Sequence, residues 1–349
     1  MRRRHLLVAA VPWCARAVMA APSPVRLAAA WDGPGGSRVG ILEAGRGAWH
    51  VAAEIDVPTR AHGIVVEPEG TLLAVARRPG DWLLRWRPGG RAQWAWTDAS
   101  RRFNGHVRRR GNRLYSSETD VETGEGRVVA RDLRTFDVQA VWPTGGIDPH
   151  DLSFAPDGML WVANGGIATL PDSGRRKLHL ETMDSSLVCL DPAGGLRGQW
   201  RLRDRRLSLR HLAQHGGVVG IALQAEHDDA AERAQAPVLA IFDGKALQAM
   251  PSPPLAGYGG DIATTAAGFA VSVPRASGVA LFDRSGAWRA HVALDQACAL
   301  ASAGAALYAG GLHAALTLRA GATAMRSVPA LKLDNHWQAQ PGAEAGFDD

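Results

Sequence analysis

The chain has 349 residues, 46% of them apolar, enough to bury a large core. Its formal charge of +5 comes with no lysine-rich block and no basic stripe interleaved with aromatics, which argues against a nucleic-acid surface. The 40 Gly and 20 Pro point to many turns, and the 12 Trp suit packed sheets.

The chain opens on "MRRRHLLVAAVPWCARAVMAAPSP": a basic start, an apolar middle and a small-residue end near Ala20-Ala21. Residues 1–21 read as an export signal. The apolar stretch is too short for a membrane span and is broken by Arg16. "RRRHLL" favours the twin-arginine route, which carries folded proteins, over the general secretory route. Trp13, just before Cys14, spoils a lipoprotein box. The expectation is a soluble periplasmic protein of bacterial type without a transmembrane segment. Only Cys189 and Cys298 survive removal of the leader. An oxidising compartment permits a disulfide, but these two belong to different repeats, so two unpaired, packed thiols are expected. There is no CxxC, no CxxCH and no zinc-knuckle spacing.

Past the leader there is almost no helical periodicity. Runs of five to eight residues alternate with turn signals such as "PEG" 68–70, "RPGG" 87–90, "PDG" 156–158 and "RSG" 284–286, the pattern of an all-β chain. Three strands come first, at 25–31, 37–44 and 49–55. Six four-strand units follow. They begin at "AHGIVV" with His62, "GHVRRR" with His106, "HDLSFA" with His150, "LRHLAQ" with His211, "GGDIAT" with Asp261 and "ACALAS" with Cys298. The steps between these six positions are 44, 44, 61, 50 and 37 residues. Four short strands per repeat of about 44 residues is the period of propeller blades. "LKLDNHWQAQ", carrying His336, supplies one last strand. If it completes the three-strand unit at the N-terminus, residues 25–340 form one seven-bladed β-propeller domain, closed by pairing of its two chain ends. Residues 341–349 are expected to be a disordered tail.

The first strand of each blade lines a propeller's channel. The aligned positions are His336, His62, His106, His150, His211, Asp261 and Cys298, and the first five with Asp261 are the candidate ligand or metal residues at one channel mouth. Three occupants stay open: a metal or metal complex, an anion or small organic ligand, and water alone. All seven side chains cannot meet one ion, because a tetrahedral site needs donor distances of about 2.0–2.3 Å. Asp151, Arg210, Asn335, Glu118, Asn164 and Gln224 are the supporting polar residues, joined by Asp120 and Glu226. Glu118, Asn164 and Gln224 end second strands and are expected at the opposite mouth. An insertion at 164–186, with Asp172, Ser173, Arg175 and Lys177, is expected to fold over one face as a lid. No GxSxG elbow, P-loop, HExxH, EF-hand loop or dinucleotide fingerprint occurs.

The strings "GGIDPHDLSFAPDGMLWVANGGIATLPDSGRRKLHLETMDSSLVCLD", "LSLRHLA" and the terminal "LDNH" resemble the DUF1513 family over nearly the whole mature chain. His150, Asp151, Asn164, Gly165, Gly166, Asp172, Ser173, Gly174, Arg175, Lys177, Leu178, Arg210, His211, Asn335 and His336 occupy the matching positions. The resemblance implies an exported β-propeller with a twin-arginine-type leader. It also implies gene neighbourhoods with imelysin-like and haem-peroxidase-like proteins, and hence a link to iron uptake. It assigns no catalytic residue. Three functions follow as expectations. The first is a periplasmic, monomeric binding protein that holds a metal, metal complex or small ligand and serves periplasmic iron-uptake partners, with iron or copper as candidate cofactor. The second is a metal-dependent oxidoreductase or hydrolase using the same histidines, on the architectural analogy of copper-cluster reductases. The third is a protein-protein interaction scaffold.

Overall fold

Short strands divided by tight turns pair with their sequence neighbours, and this chain does so in seven successive sheets. The computed structural model describes residues 24–45, 47–169, 176–319, 322–328 and 331–341. The export signal, the lid residues Asp172, Ser173 and Arg175, and the tail beyond 341 lie outside the described residues.

Blades two to seven are four-strand antiparallel meanders in chain order. Their first strands are Ala61–Val66, Arg101–Arg110, Pro149–Phe154, Leu207–His215, Ile262–Thr265 and Ala299–Ala303. These strands touch one another around the ring and form its inner wall. The protein is a seven-bladed β-propeller. Blade one joins both chain ends. Arg26–Gly33, Gly36–Ala44 and Trp49–Asp56 form a meander, and two short pieces, Lys332–Leu333 and Gln338–Ala339, pair antiparallel with Arg26–Gly33. Trp31 stands opposite Leu333, and Leu27 opposite Ala339. The gap between the two pieces, residues 334–337, carries His336.

Burial follows strand position. The second strands Leu72–Ala76 and Gly268–Val273 and the third strand Ser186–Leu190 are buried throughout. They lie between blades and read as unbroken apolar runs, because both of their faces are covered. The outermost strands Trp49–Asp56 and Trp288–Ala293 alternate between more and less exposed positions, as strands with one covered face do. Seven apolar clusters fill the seven gaps between neighbouring blades. The one between blades seven and one sets Trp49 against Tyr308 and Trp337, with each pair of ring centroids 6.0 Å apart. The ring is therefore closed by packing as well as by pairing.

Two additions interrupt the repeat. The 164–186 insertion contains a small hairpin, Ala168–Thr169 with Lys177–Leu178, and a 3₁₀ turn at Leu180–Thr182. A six-residue helix, Ala230–Gln235, sits in the connection within blade five. Asp229 caps it by accepting from the N–H groups of Ala231 and Glu232. Among the described residues no helix is long and apolar enough to cross a membrane.

Candidate metal centre

Each innermost strand is held by a ladder to the second strand of its blade. In blades two to five that ladder breaks where a histidine stands. In blade two the pairing steps from Ala61↔Ala76 to Ile64↔Ala74, so His62 and Gly63 oppose one residue. In blade three it steps from Phe103↔Glu118 to Val107↔Ser116, across Asn104, Gly105 and His106. Blade four loops out His150 between Pro149↔Asn164 and Asp151↔Ala163, and blade five bulges at Arg210 and His211. A bulge re-aims a side chain that a regular ladder would lay against the sheet. His336 obtains the same freedom from the break in the closing strand. Gly105 shows how tight the arrangement is. Its φ is 103°, and a Cβ there would lie 2.7 Å from His62 Cδ2.

The five imidazoles converge. Nine of their pairs have ring centroids between 4.5 and 5.8 Å apart. His62, His106, His211 and His336 each offer a ring nitrogen, and these four nitrogens lie within 4.8 Å of one another. His150 Nε2 hydrogen-bonds His211 Nε2 at 2.9 Å. All five are buried, with exposures from 2% to 9%.

Two carboxylates flank the cluster. Asp261 Oδ2 is 3.1 Å from His336 Nδ1, and Asp151 Oδ1 is 3.3 Å from His106 Nδ1. At His336 the carboxylate fixes the tautomer and directs the other nitrogen's lone pair inward, while Asp151 stands beside His106 without hydrogen-bonding it. The two aspartates are the same device. Each accepts from the N–H of the next residue, Leu152 or Ile262, and from an N–H of the following blade, Leu212 or Leu300. Asp261 therefore matches Asp151, and Gly260 stands at the address of His150. The sequence alignment of Asp261 with the histidines is off by one residue, and in place Asp261 orients His336.

Burial, reinforced by the neighbouring positive charges, holds His62, His106, His150 and His211 well below the usual histidine range, so they are neutral. For His336 burial acts the same way, but Asp261, with help from Asp151, overcomes it and raises the value. Burial also raises Asp151, against the pull of Arg108. His62 Nδ1, both nitrogens of His106, Nδ1 of His150 and of His211, and Nε2 of His336 make no hydrogen bond among the described residues. Four of these imidazoles are neutral and buried and carry unpartnered nitrogens, a chemistry that fits a transition metal.

A cavity of about 660 Å³ leads to the cluster from the side where the innermost strands continue beyond their histidines. Its lining includes His106, His336, Asp151, Asp261, Arg108 and Glu67. A second hollow of about 540 Å³, which shares Leu212, Leu300, Trp337 and Gln338 with it, extends the same mouth over blades four to seven.

The remaining candidate residues separate. Asn164 pairs opposite Pro149 and Gln224 opposite Ser208, so they lie at the histidine end rather than at the opposite mouth. The reason is antiparallel pairing: a second strand ends where the first begins. Asn164 donates to Thr144 O and Ser186 Oγ, and Gln224 to Gly259 O. Glu118 is buried in blade three and engaged by Ser116, Arg101 and Arg131. Asn335 is half-buried beside His336, and its N–H donates to Asp334 Oδ1. Lys177 pairs with Glu226. Cys189 and Cys298 are free, each thiol pushed up to about 11 mainly by burial. Sequence reasoning missed Asp148 and Arg78. Asp148 has a φ of 54° and is held between Arg78 and Arg210. The signal was the run "IDPH", with an acid two residues before the channel histidine.

Comparison with known proteins agrees with this architecture. Among solved structures the chain is similar to Kuenenia stuttgartiensis hydrazine synthase, with 12% identity, a TM-score of 0.55, and 83% of this chain and 92% of that one covered. It is similar also to Citrobacter koseri AztD, at 13% identity and TM-score 0.50 over 93% and 100% of the two chains. A functionally unknown protein from Desulfotomaculum acetoxidans is similar at 12% identity and TM-score 0.50 over 79% and 87%. These likenesses are of fold alone. No curated protein matches the chain in sequence. The family model described as "Protein of unknown function (DUF1513)" matches residues 55–340, and the chain belongs to that family.

Proposed function

We propose that this DUF1513 propeller is an exported, periplasmic metal-binding protein whose ion sits on the channel axis, held by His62, His106, His211 and His336. His150 backs His211 through its hydrogen bond, Asp261 orients His336, and Asp151 stands beside His106. The observation that carries this reading is the convergence of four buried imidazole nitrogens within 4.8 Å. The donors are all imidazole nitrogens, and His62, His106 and His211 are neutral. Imidazole suits zinc, copper, iron and nickel, and for a given nitrogen site affinity peaks at copper among the divalent first-row ions. Copper is therefore the first candidate. Iron is the second, in keeping with an accessory role in iron acquisition beside imelysin-like and haem-peroxidase-like partners.

Metal-free protein titrated calorimetrically with copper, zinc and ferrous iron tests the reading. One ion per chain is expected, with copper bound most tightly. His106→Ala combined with His211→Ala is expected to weaken binding at least about a hundredfold while the far-ultraviolet dichroism keeps its β signature. Unchanged affinity in the double variant rejects the axial site. The metal found in protein purified from its natural periplasm decides between copper and iron. The cavity reaching His106 and His336 favours a second reading, a metal-dependent oxidoreductase or hydrolase. Turnover by the metal-loaded protein that His106→Ala abolishes would establish it.

A further inference from the structure

On the other side of the histidines from the cavity lies a buried group of charges that the metal reading does not use. Arg210 precedes His211 in the bulge of blade five, and 1% of its side chain is exposed. Its Nη1 donates to Asp148 Oδ2 at 3.0 Å. Its Nε and Nη2 are buried and have no hydrogen-bond partner among the described residues. These two N–H groups share one edge of the planar guanidinium, the edge that grips two oxygens of an oxyanion side by side. Native proteins rarely leave such donors buried and unmatched.

The surroundings carry the same sign. Arg78 donates to the other oxygen of Asp148. Lys177, in the strand pair of Ala168–Thr169 with Lys177–Leu178, pairs with Glu226. Burial lowers Lys177 against the pull of Glu226, and the charges of Arg210 and Arg78 lower it further. The three cations face two carboxylates, Asp148 and Glu226, so the group keeps a positive excess. Gly165 makes room for it: a Cβ there would lie 2.8 Å from Arg210 Nη1 and 2.5 Å from Asp148 Oδ2. Gly165 of the "NGG" run is thus accounted for by this charge group rather than by the histidines. None of Arg78, Asp148, Lys177, Arg210 and Glu226 lines the 660 Å³ cavity.

We propose that Arg210, with Arg78 and Lys177, forms a second site that binds an oxyanion, an inorganic phosphate or the carboxylate of a small organic acid, behind the histidine layer. The site is separate from the metal centre and does not depend on it. The open Nε–Nη2 edge takes two oxygens, while Lys177 and Arg78 supply the remaining charge.

The test uses the full chain stripped of metal, so that a failed metal reading leaves it intact. Calorimetric titration with inorganic phosphate and, separately, with succinate is expected to show one site for at least one of them. Phosphate alone identifies an inorganic ligand, and succinate alone an organic acid. Arg210→Lys keeps the charge but loses the paired edge, and is expected to weaken binding by about tenfold or more, the worth of one charge-assisted hydrogen bond. Lys177→Met, at a less buried position, is expected to weaken it several-fold while the far-ultraviolet dichroism keeps its β signature, and it carries the test if Arg210→Lys does not fold. Binding of neither anion to the wild type, or wild-type affinity in the folded variants, overturns the proposal.

Discussion

Blades two to five and blades six and seven are the same four-strand meander with different inner walls. In the first group the innermost strand gives way at one point, and a histidine stands at that point. In the second, Ile262–Thr265 and Ala299–Ala303 pair in regular register from end to end. They carry a carboxylate that orients His336, Asp261, and a half-buried thiol, Cys298. A regular ladder keeps every backbone hydrogen bond and presents its side chains perpendicular to the sheet. A bulge gives up part of the ladder and gains a direction. The histidine cluster is therefore made by the departures from the repeat, and the regular blade six braces it through Asp261.

Acid should separate the two regions most strongly. In the folded protein His62, His106, His150 and His211 stay neutral well below the usual histidine range. Unfolded, the same residues take up protons below about pH 6.5. The unfolded state then binds more protons, so stability falls as the pH drops from 7 towards 5. Four such groups at about 1.4 kcal/mol per pH unit each set a slope of up to about 5 kcal/mol per unit near pH 5.5. His336 has the opposite sign. Its raised value adds stability that is complete below pH 6.5 and is lost as the pH rises through the folded value, so it does not offset the acid slope. Urea denaturation of metal-free protein at pH 7, 6 and 5 measures this. A flat profile would mean that the bulged blades carry no buried neutral imidazoles.

A smaller effect probes the bulges themselves. Gly105→Ala places a Cβ at a φ of 103° and 2.7 Å from the His62 ring. The expected cost is about 2–4 kcal/mol, from backbone strain together with displacement of His62. Metal affinity is expected to fall at least about tenfold in the same variant. In the regular region, Cys298→Ala removes a half-buried thiol for about 1 kcal/mol and is expected to leave metal affinity within twofold. Chemical denaturation and metal titration of the two variants side by side supply the comparison.

The histidine addresses were legible because a period of about 44 residues places equivalent side chains at equivalent depths in a ring. His336 was legible because the strand count left one blade short by one strand. The bulges were not. Register is a property of two strands together, and neither "AHGIVV" nor "LRHLAQ" states how many residues its partner will oppose. The same blindness put Asp261 at a histidine address, since counting along the chain cannot see that its oxygens accept from Ile262 and Leu300 as those of Asp151 do from Leu152 and Leu212. Asp148 was hidden for a different reason: its role depends on Arg78 and Arg210, which lie 70 and 62 residues away. The placement of Asn164 and Gln224 needed only the rule that antiparallel neighbours start where the other ends.

The finest test uses one hydrogen bond that the two regions share. Ser117, in the second strand of blade three, donates to the carbonyl of His150 in blade four at 3.0 Å. Ser272, in the second strand of blade six, donates to the carbonyl of Cys298 in blade seven at 2.7 Å. Both bonds tie one blade to the inner strand of the next, and both serines are fully buried. Ser117→Ala and Ser272→Ala should therefore cost about the same stability, roughly 1 kcal/mol each, since each leaves one buried carbonyl short of a donor. Their effect on the centre should differ. The carbonyl freed by Ser117→Ala belongs to a residue looped out of its ladder, so the bond helps to hold the His150 ring against His211. The carbonyl freed by Ser272→Ala belongs to a residue whose own N–H still bonds Gly310 O at 2.8 Å at the start of a regular strand. Metal affinity is expected to fall two- to fivefold in Ser117→Ala and to stay unchanged in Ser272→Ala. Equal losses in the two would show that the ring transmits strain evenly to its axis and that the bulges confer no local sensitivity.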